Sequence, residues 1–97
     1  MKISVRFFTS LREITRKKEE TLEFSNDAKV TVDKVLQVLS REYGKQFVDY
    51  IHDSETGEVR GFLQFLVNGK SSTNLKGLQT ELKEGDVLAI LPPVGGG

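Results

Sequence analysis

One segment of this sequence has the periodicity of a long amphipathic helix, and the apolar segments around it have the patterns of short strands. Between about Val32 and Tyr43, apolar side chains recur at helical spacing. Thr31 is suited to cap the start of this helix, and Gly44 follows at the position where a helix commonly ends. Because this is the clearest helix in a chain of 97 residues, it has to cover a sheet made of all the strands.

Two strand-like segments precede the helix. Residues 2–8 alternate between apolar and polar side chains, as residues 21–24 also do. Because the two segments are close in sequence, an antiparallel pair is the first expectation. Between them, the spacing of Ser10 and Glu13 is that of a capping box and predicts a short helical turn.

The two most apolar runs follow the helix. Residues 62–67 end at Asn68-Gly69, a strong signal for a tight turn, and residues 87–91 are bounded by Gly85-Asp86 and Pro92. Both runs predict buried strands. The stretch 45–61 is less regular, and its apolar residues favour a short helical turn followed by a hairpin.

This order of elements predicts a two-layer α+β fold, with one main helix across one face of a mixed sheet. If strand 87–91 lies beside strand 2–8 and parallel to it, the result is the β-grasp, or ubiquitin-like, fold. Residues 1–91 would form this domain. The residues expected to be largely buried are Ile3, Val5, Phe7, Leu22, Phe24, Val35, Leu36, Leu39, Phe65, Val67, Leu78 and Leu82.

Composition excludes several classes of function. Fourteen basic and fourteen acidic residues cancel, which argues against nucleic-acid binding because that needs a basic surface. The sequence has no cysteine, so thiolate metal sites and cysteine nucleophiles are ruled out. His52 is the only histidine; it has no evident acid–base partner, and no metal site is expected.

Targeting signals are also missing from the sequence. Its first residues lack the uninterrupted apolar stretch of a signal peptide, and no segment approaches the length of a membrane span. The expected location is therefore the cytoplasm, without membrane association.

The last six residues, 92–97, read Pro-Pro-Val-Gly-Gly-Gly. Proline lacks the N–H that a sheet ladder requires, so the strand should stop at Leu91 and a flexible tail should leave the domain there. Glycine is slim and accepts any backbone angle, so Gly96 and Gly97 can thread a narrow channel in another protein. The carboxylate of Gly97 would then be a mobile reactive group, which an ATP-dependent enzyme could convert to an acyl-adenylate.

Phe8 predicts a docking surface beside this tail. It falls on the polar face of the first strand, and Arg12 is close in sequence. Aromatic and arginine side chains are typical anchors of interfaces. The predicted partner-binding set is Phe8, Arg12, Leu91, Pro92, Pro93, Val94 and Gly95. The alternative is that Phe8 packs beneath residues 9–15.

The chain resembles the small subunit of molybdopterin synthase (MoaD) and its archaeal relatives, which are ubiquitin-like sulfur carriers of the MoaD/ThiS superfamily. The resemblance covers nearly the whole chain. The residues that carry it are Val5-Arg6-Phe7-Phe8, Leu11-Arg12-Glu13-Ile14, Thr31-Val32, Val67-Asn68-Gly69, Leu82 to Val87, and Leu88 to Val94 running into Gly96-Gly97. Gly95 differs from the small Ala, Ser or Thr that relatives often have there.

The resemblance implies a cycle centred on the last residue. A partner adenylating enzyme uses ATP to activate the Gly97 carboxylate, and a sulfur donor converts it to a thiocarboxylate. The tail then enters the large subunit of molybdopterin synthase and delivers sulfur to a precursor of the molybdenum cofactor. The chain would bind no cofactor and would not be an enzyme on its own.

Three other functions remain open from the sequence. A ubiquitin-like modifier would join Gly97 to lysines of other proteins, and a carrier for thiazole or tRNA thiolation would use the same tail with other partners. A non-covalent binding module would not need the free carboxylate at all.

Overall fold

The computed structural model describes residues 1–71 and 76–92. Residues 93–97, on which the predictions about the tail fall, lie outside the described residues. In chain order, the elements are β1 (Lys2–Phe7), α1 (Ser10–Thr15), β2 (Glu19–Glu23), β3 (Val30–Thr31), α2 (Val32–Tyr43), α3 (Lys45–Ile51), β4 (Gln64–Val67), β5 (Lys70–Ser71), a 3-10 turn (Gly77–Gln79), β6 (Glu81–Leu82) and β7 (Val87–Leu91).

The main sheet has five strands in the order β2-β1-β7-β4-β5. Its central pair is parallel, with Ser4 opposite Val87 and Phe7 opposite Ile90. The other neighbours in this sheet are antiparallel, and β3 and β6 form a small separate pair. The sheet is therefore mixed, and the last strand lies beside the first, which confirms the predicted α+β, β-grasp topology.

Alternation along each strand builds the core. On β1, Ile3, Val5 and Phe7 are fully buried, and the α2 residues that face them are equally inaccessible. Burying each large apolar side chain contributes about 1.5–3 kcal/mol. Buried residues that the predicted core did not name are Leu11, Val30, Val32, Phe47, Ile51, Leu63, Leu88 and Ile90.

Two members of the predicted core are only half-buried. Phe24 directly follows β2, which ends at Glu23. The Phe24 N–H still donates to the Met1 carbonyl at 2.8 Å, and the chain then leaves the sheet. Leu78 lies in the 3-10 turn and packs against the margin of the core, where it remains half-buried. The prediction of largely buried side chains was wrong for both.

The capping box predicted at Ser10 is not formed. Helix α1 begins at Ser10, but its N-cap is Thr9, which has φ 46° and makes no side-chain capping bond. The first turn is closed instead by the Arg12 N–H, which donates to the Thr9 carbonyl at 2.9 Å. The helical turn was predicted correctly, and the residue that starts it was not.

Helix α2 has the predicted bounds and the predicted cap. The Thr31 hydroxyl oxygen accepts a hydrogen bond from the Lys34 N–H at 3.1 Å. Gly44 ends the helix with φ 77° and its N–H bonded to the Ser40 carbonyl at 2.9 Å.

Replacing Thr31→Ala should therefore destabilise the fold, because one amide of the first helical turn loses its acceptor. We expect a loss of about 1 kcal/mol in the free energy of unfolding, measured by urea denaturation. Thr31→Ser, which keeps the hydroxyl, is the matched control and should stay close to the original stability. Equal stability of the Ala and Ser variants would show that this cap contributes nothing.

The end of α2 is attached to the edge strand β2. The Tyr43 hydroxyl donates a hydrogen bond to Glu20, and the Lys17 ammonium lies 3.4 Å from the same carboxylate. Burial opposes the ionisation of Glu20, but these bonds outweigh it and lower its pKa. Burial and the negative charge of Glu20 together raise the pKa of Tyr43 well above its usual range. The Tyr43 ring also packs against Phe7, at 6.1 Å between centroids.

The irregular stretch 45–61 forms the predicted helix and hairpin. Phe47 and Ile51 of α3 are fully buried, and the hairpin is closed by a bridge between His52 and Val59. Asp53 accepts bonds from the Glu55 and Thr56 amides at the turn, which lower its pKa. Among the described residues, no helix has the length and hydropathy needed to cross a membrane.

Candidate docking surface at the tail exit

The tail begins at the centre of the sheet. Strand β7 ends at Leu91, as predicted from the prolines that follow it. It lies between β1 and β4, and Leu91 is paired with Gln64 of β4. Pro92 therefore follows a strand that lies between β1 and β4, and not a strand at the edge of the sheet. Of the predicted site, Pro93, Val94, Gly95, Gly96 and Gly97 lie outside the described residues.

Beside this exit, the sheet has a face that the helices leave open. Inward-facing residues of the central strands are buried, whereas their alternate neighbours are half-buried or exposed. These neighbours and the adjoining turn surround a shallow groove of about 400 Å³. Its lining residues are Arg6, Phe8, Leu66, Asn68, Gly69, Val87, Ala89 and Leu91. Phe8 and Leu91, predicted from sequence as parts of one surface, thus share one groove.

Two arginines hold the Phe8 ring. The guanidinium carbon of Arg12 is 5.4 Å from the ring centroid, and that of Arg6 is 5.7 Å away, distances at which cation–π attraction operates. The Nε of Arg12 also donates to the Phe7 carbonyl at 3.0 Å, which fixes its orientation. In α1, Leu11 packs into the core and Ile14 packs against it. Phe8 lines the groove, with the Arg12 guanidinium of α1 beside its ring.

The two arginines differ in their charge partners. Arg6 Nε lies 3.8 Å from Glu19, but both side chains are more than half exposed, at 54% and 53%, so the pair contributes little. Arg12 makes no ion pair with any residue of the two described ranges.

The far end of β7 is fixed by a side-chain network. Asn68 Nδ2 donates to Asp86 at 2.9 Å, and Asn68 Oδ1 accepts from the Val87 N–H at 2.8 Å. The other Asp86 oxygen accepts from the Lys83 N–H at 2.7 Å. These bonds join the β4–β5 turn to the start of β7 and thereby set the register that brings Leu91 to the exit.

Comparison with known proteins identifies the family. The profile of the ThiS family matches residues 5–97. The chain belongs to the ThiS family. It is 36% identical over 97 residues to small archaeal modifier protein 3 of Haloferax volcanii, with both chains covered completely. The resemblance to the MoaD/ThiS superfamily is thus confirmed, and the chain is a member of a family of small ubiquitin-like sulfur carriers and modifiers.

Solved structures agree with this assignment. The solution structure of small archaeal modifier protein 1 from Methanosarcina acetivorans superposes with a TM-score of 0.81 at 31% identity, covering 99% of this chain and 96% of that one. The crystal structure of the Haloferax volcanii protein SAMP1 gives a TM-score of 0.82 at 23% identity, with both chains fully covered. The second likeness supports the β-grasp fold alone.

Six of the eight residues that line the groove of this ThiS-family chain were not predicted as part of the surface, and three of these six are apolar. Leu66, Val87 and Ala89 are apolar and lie on the open face of β4 and β7. The signal for them was in the sequence, because runs 62–67 and 87–91 are apolar on both faces of their strands. One face packs against the core, and the other lines the groove.

The described part of this ThiS-family chain offers no metal centre. Within residues 1–71 and 76–92, no group of three or more histidine, aspartate or glutamate side chains is arranged to hold an ion. His52 is half-buried at the hairpin, and its Nδ1 has no hydrogen-bond partner among these residues.

Proposed function

We propose that this ThiS-family protein is a carrier whose Gly97 carboxylate is activated by a partner enzyme with ATP and converted to a thiocarboxylate. The profile match that extends to residue 97 supports this assignment. The observation that carries the proposal is the exit of the chain from the centre of the sheet beside the groove of Phe8 and Leu91. A partner can bind the groove and enclose the following residues at the same time.

The chemistry begins with an oxygen of the Gly97 carboxylate, which attacks the α-phosphorus of ATP and releases pyrophosphate. Hydrosulfide from a sulfur donor then attacks the carbonyl carbon of the acyl-adenylate, so that a carbon–sulfur bond replaces the bond to the phosphate oxygen and AMP leaves. The resulting thiocarboxylate has a softer and stronger nucleophile than the carboxylate oxygen. The carrier contributes the reacting group and its presentation, and the partner contributes the ATP site.

The groove determines which partners fit. Its floor is apolar, and the fixed guanidinium of Arg12 is at its border. A complementary surface would insert an apolar side chain beside Phe8 and place a carboxylate near Arg12. We propose the adenylating enzyme as one such partner and the large subunit of molybdopterin synthase as the acceptor, so that sulfur enters the molybdenum cofactor.

A second fate of the activated Gly97 has its own support. The relative that matches over its whole length is a small archaeal modifier protein. In a modifier, the amine of a protein lysine attacks the carbonyl carbon of the acyl-adenylate, AMP and a proton leave, and an isopeptide bond forms. Both fates need the same activated glycine, and they differ only in the nucleophile.

Mass spectrometry of the protein isolated from its native cells distinguishes these fates. A carrier accumulates a free form in which one oxygen of the terminal carboxylate is replaced by sulfur. A modifier leaves glycine-rich remnants on lysines of other proteins. Co-purification with a molybdopterin synthase large subunit would support the molybdenum pathway, and thiocarboxylate without that subunit would point to another acceptor.

Replacing Phe8→Ala tests the docking surface. We expect binding to the adenylating enzyme and to the large subunit to weaken at least about fivefold, or about 1 kcal/mol, because the aromatic anchor is removed. Folding should be almost unchanged because Phe8 is outside the buried core. Calorimetric titration and thermal denaturation measure the two effects.

Thr21→Ala is the matched control for Phe8, since it is an exposed residue on the edge strand β2 and does not line the groove. It should bind like the original protein. Normal binding by the Phe8 variant, or its unfolding, would show that the surface is assigned wrongly.

A further inference from the structure

A second aromatic side chain stands at the opposite side of the tail exit. Phe62 is 48% exposed, and among the described residues it is the one large apolar side chain with such exposure. Its neighbour Leu63 is 7% exposed and belongs to the core. The Phe62 side chain is therefore exposed to solvent, whereas the side chain of the next residue is buried in the core.

The sheet register places Phe62 near the tail. Gln64, the first residue of β4, is the partner of Leu91, the last residue of β7. Phe62 precedes Gln64 by two residues, which span at most about 7 Å. On the other side of β7, Phe7 is paired with Ile90, so Phe8 is the next residue toward the same end. The exit is thus bordered by Phe8 on the β1 side and by Phe62 on the β4 side.

The exposed position of Phe62 is held by an arginine. The guanidinium carbon of Arg60 is 6.0 Å from the Phe62 ring centroid. The same guanidinium donates to the Asp49 carbonyl from Nη2 at 3.1 Å and from Nε at 3.4 Å. The backbone is fixed as well, since the Arg60 N–H donates to the Ile51 carbonyl at 2.8 Å. This arginine is therefore anchored to α3 while it supports the ring.

The two sides of the exit therefore have the same chemistry. On each side, an aromatic ring that is at least partly exposed lies beside a guanidinium, and a main-chain carbonyl orients that guanidinium. Aromatic and arginine residues are the side chains enriched among interface hot spots. Helices cover the core side of the sheet, whereas the described residues leave about half of the Phe62 side chain exposed.

We propose that Phe62 and Arg60 form a second anchor for the adenylating enzyme, so that the enzyme holds the carrier on both sides of the emerging tail. This inference rests on the proposed function. The enzyme surface that fits is an apolar pocket for the Phe62 ring with a carboxylate at its rim. Two anchors on opposite sides of the tail restrict its direction, which a single contact at Phe8 cannot do.

The test compares variants of Phe62 in ATP–pyrophosphate exchange with the enzyme that activates the original chain. Phe62→Ala should raise KM for the carrier about five- to tenfold with kcat unchanged, because binding and not chemistry is altered. Phe62→Trp should restore most of the affinity, and Phe62→Glu should weaken binding further, since it places a charge against an apolar pocket and its carboxylate rim. Melting temperatures of all three should match the original, because the ring is not part of the core.

Ser54→Glu is the matched control, as it adds the same charge at an exposed position of the neighbouring hairpin turn and does not line the groove. Its KM should be that of the original protein. An unchanged KM for Phe62→Ala, with the original chain active, would overturn this anchor and leave the proposed function intact. Failure of the enzyme to activate the original chain would overturn both. A change in the oligomeric state of Phe62→Ala, measured by light scattering, would assign the ring to a second copy of this chain and reject the proposal.

Discussion

Deletion of Gly97 should reduce ATP-dependent activation and thiocarboxylate formation at least about 100-fold. Removing one residue shortens the reach of the terminal carboxylate by up to about 3.3–3.6 Å. Reacting atoms have to approach within about 3–3.5 Å, and a misplacement of about 1 Å can cost 100-fold in rate. The new terminus is again a glycine carboxylate, so the loss would be due to distance and not to chemical type.

The measurement is thiocarboxylate formation with the adenylating enzyme, ATP and a sulfur source, followed by mass spectrometry. Gly96→Val, which adds bulk and restricts the backbone, should also lose activity. Neither change alters any of the described residues that form the buried core, so both variants should melt like the original protein. Full activity of the protein without Gly97 would exclude the carrier and the modifier alike and favour a non-covalent binding module.

Leu36→Ala should cause a large loss of stability. Leu36 is 1% exposed and lies in the middle of the helix that covers the sheet. Truncation leaves a cavity where the helix meets the strands, and the expected cost is about 2–5 kcal/mol. For a domain of this size, that lowers Tm by at least about 8 °C.

Urea denaturation with a shared m value measures this loss. Gln37→Ala is the matched control on the same helix, because Gln37 is exposed and its amide only donates to Asp33 at 3.0 Å. It should change stability by no more than about 0.5 kcal/mol. A cost below about 1 kcal/mol for Leu36→Ala would mean that α2 is not packed as the structure has it.

The elements that were predicted best from the sequence are those whose apolar residues follow a clear pattern. Helix α2 has the bounds read from its apolar stripe, and β7 ends where the prolines require. The start of α1 was predicted less well, since Ser10 has the right spacing for a capping box but Thr9 takes the cap position in an unusual backbone conformation. A local spacing rule cannot anticipate the tertiary contacts that fix such a turn.

The docking surface was predictable only in part. Phe8 was identified because it interrupts an alternating pattern, and its nearness to Leu91 follows from the parallel pairing of the first and last strands. Phe62 gave no such signal, because it begins an apolar run and is indistinguishable there from a core residue. Only the register of Gln64 with Leu91 and the exposure of the ring reveal its position.

The parallel pairing of β1 and β7 would let a partner enzyme distinguish folded from unfolded molecules of this protein. Ser4 and Val87 are 83 positions apart in sequence (87 − 4) and are nevertheless direct neighbours. Contacts of such long separation form late in folding, since the chain has to close a large loop first. A newly synthesised or damaged molecule has all of its glycines but no surface in which Phe8 lies next to Leu91. An activating enzyme that binds this surface would therefore use ATP to activate folded molecules and would not activate unfolded ones with the same tail.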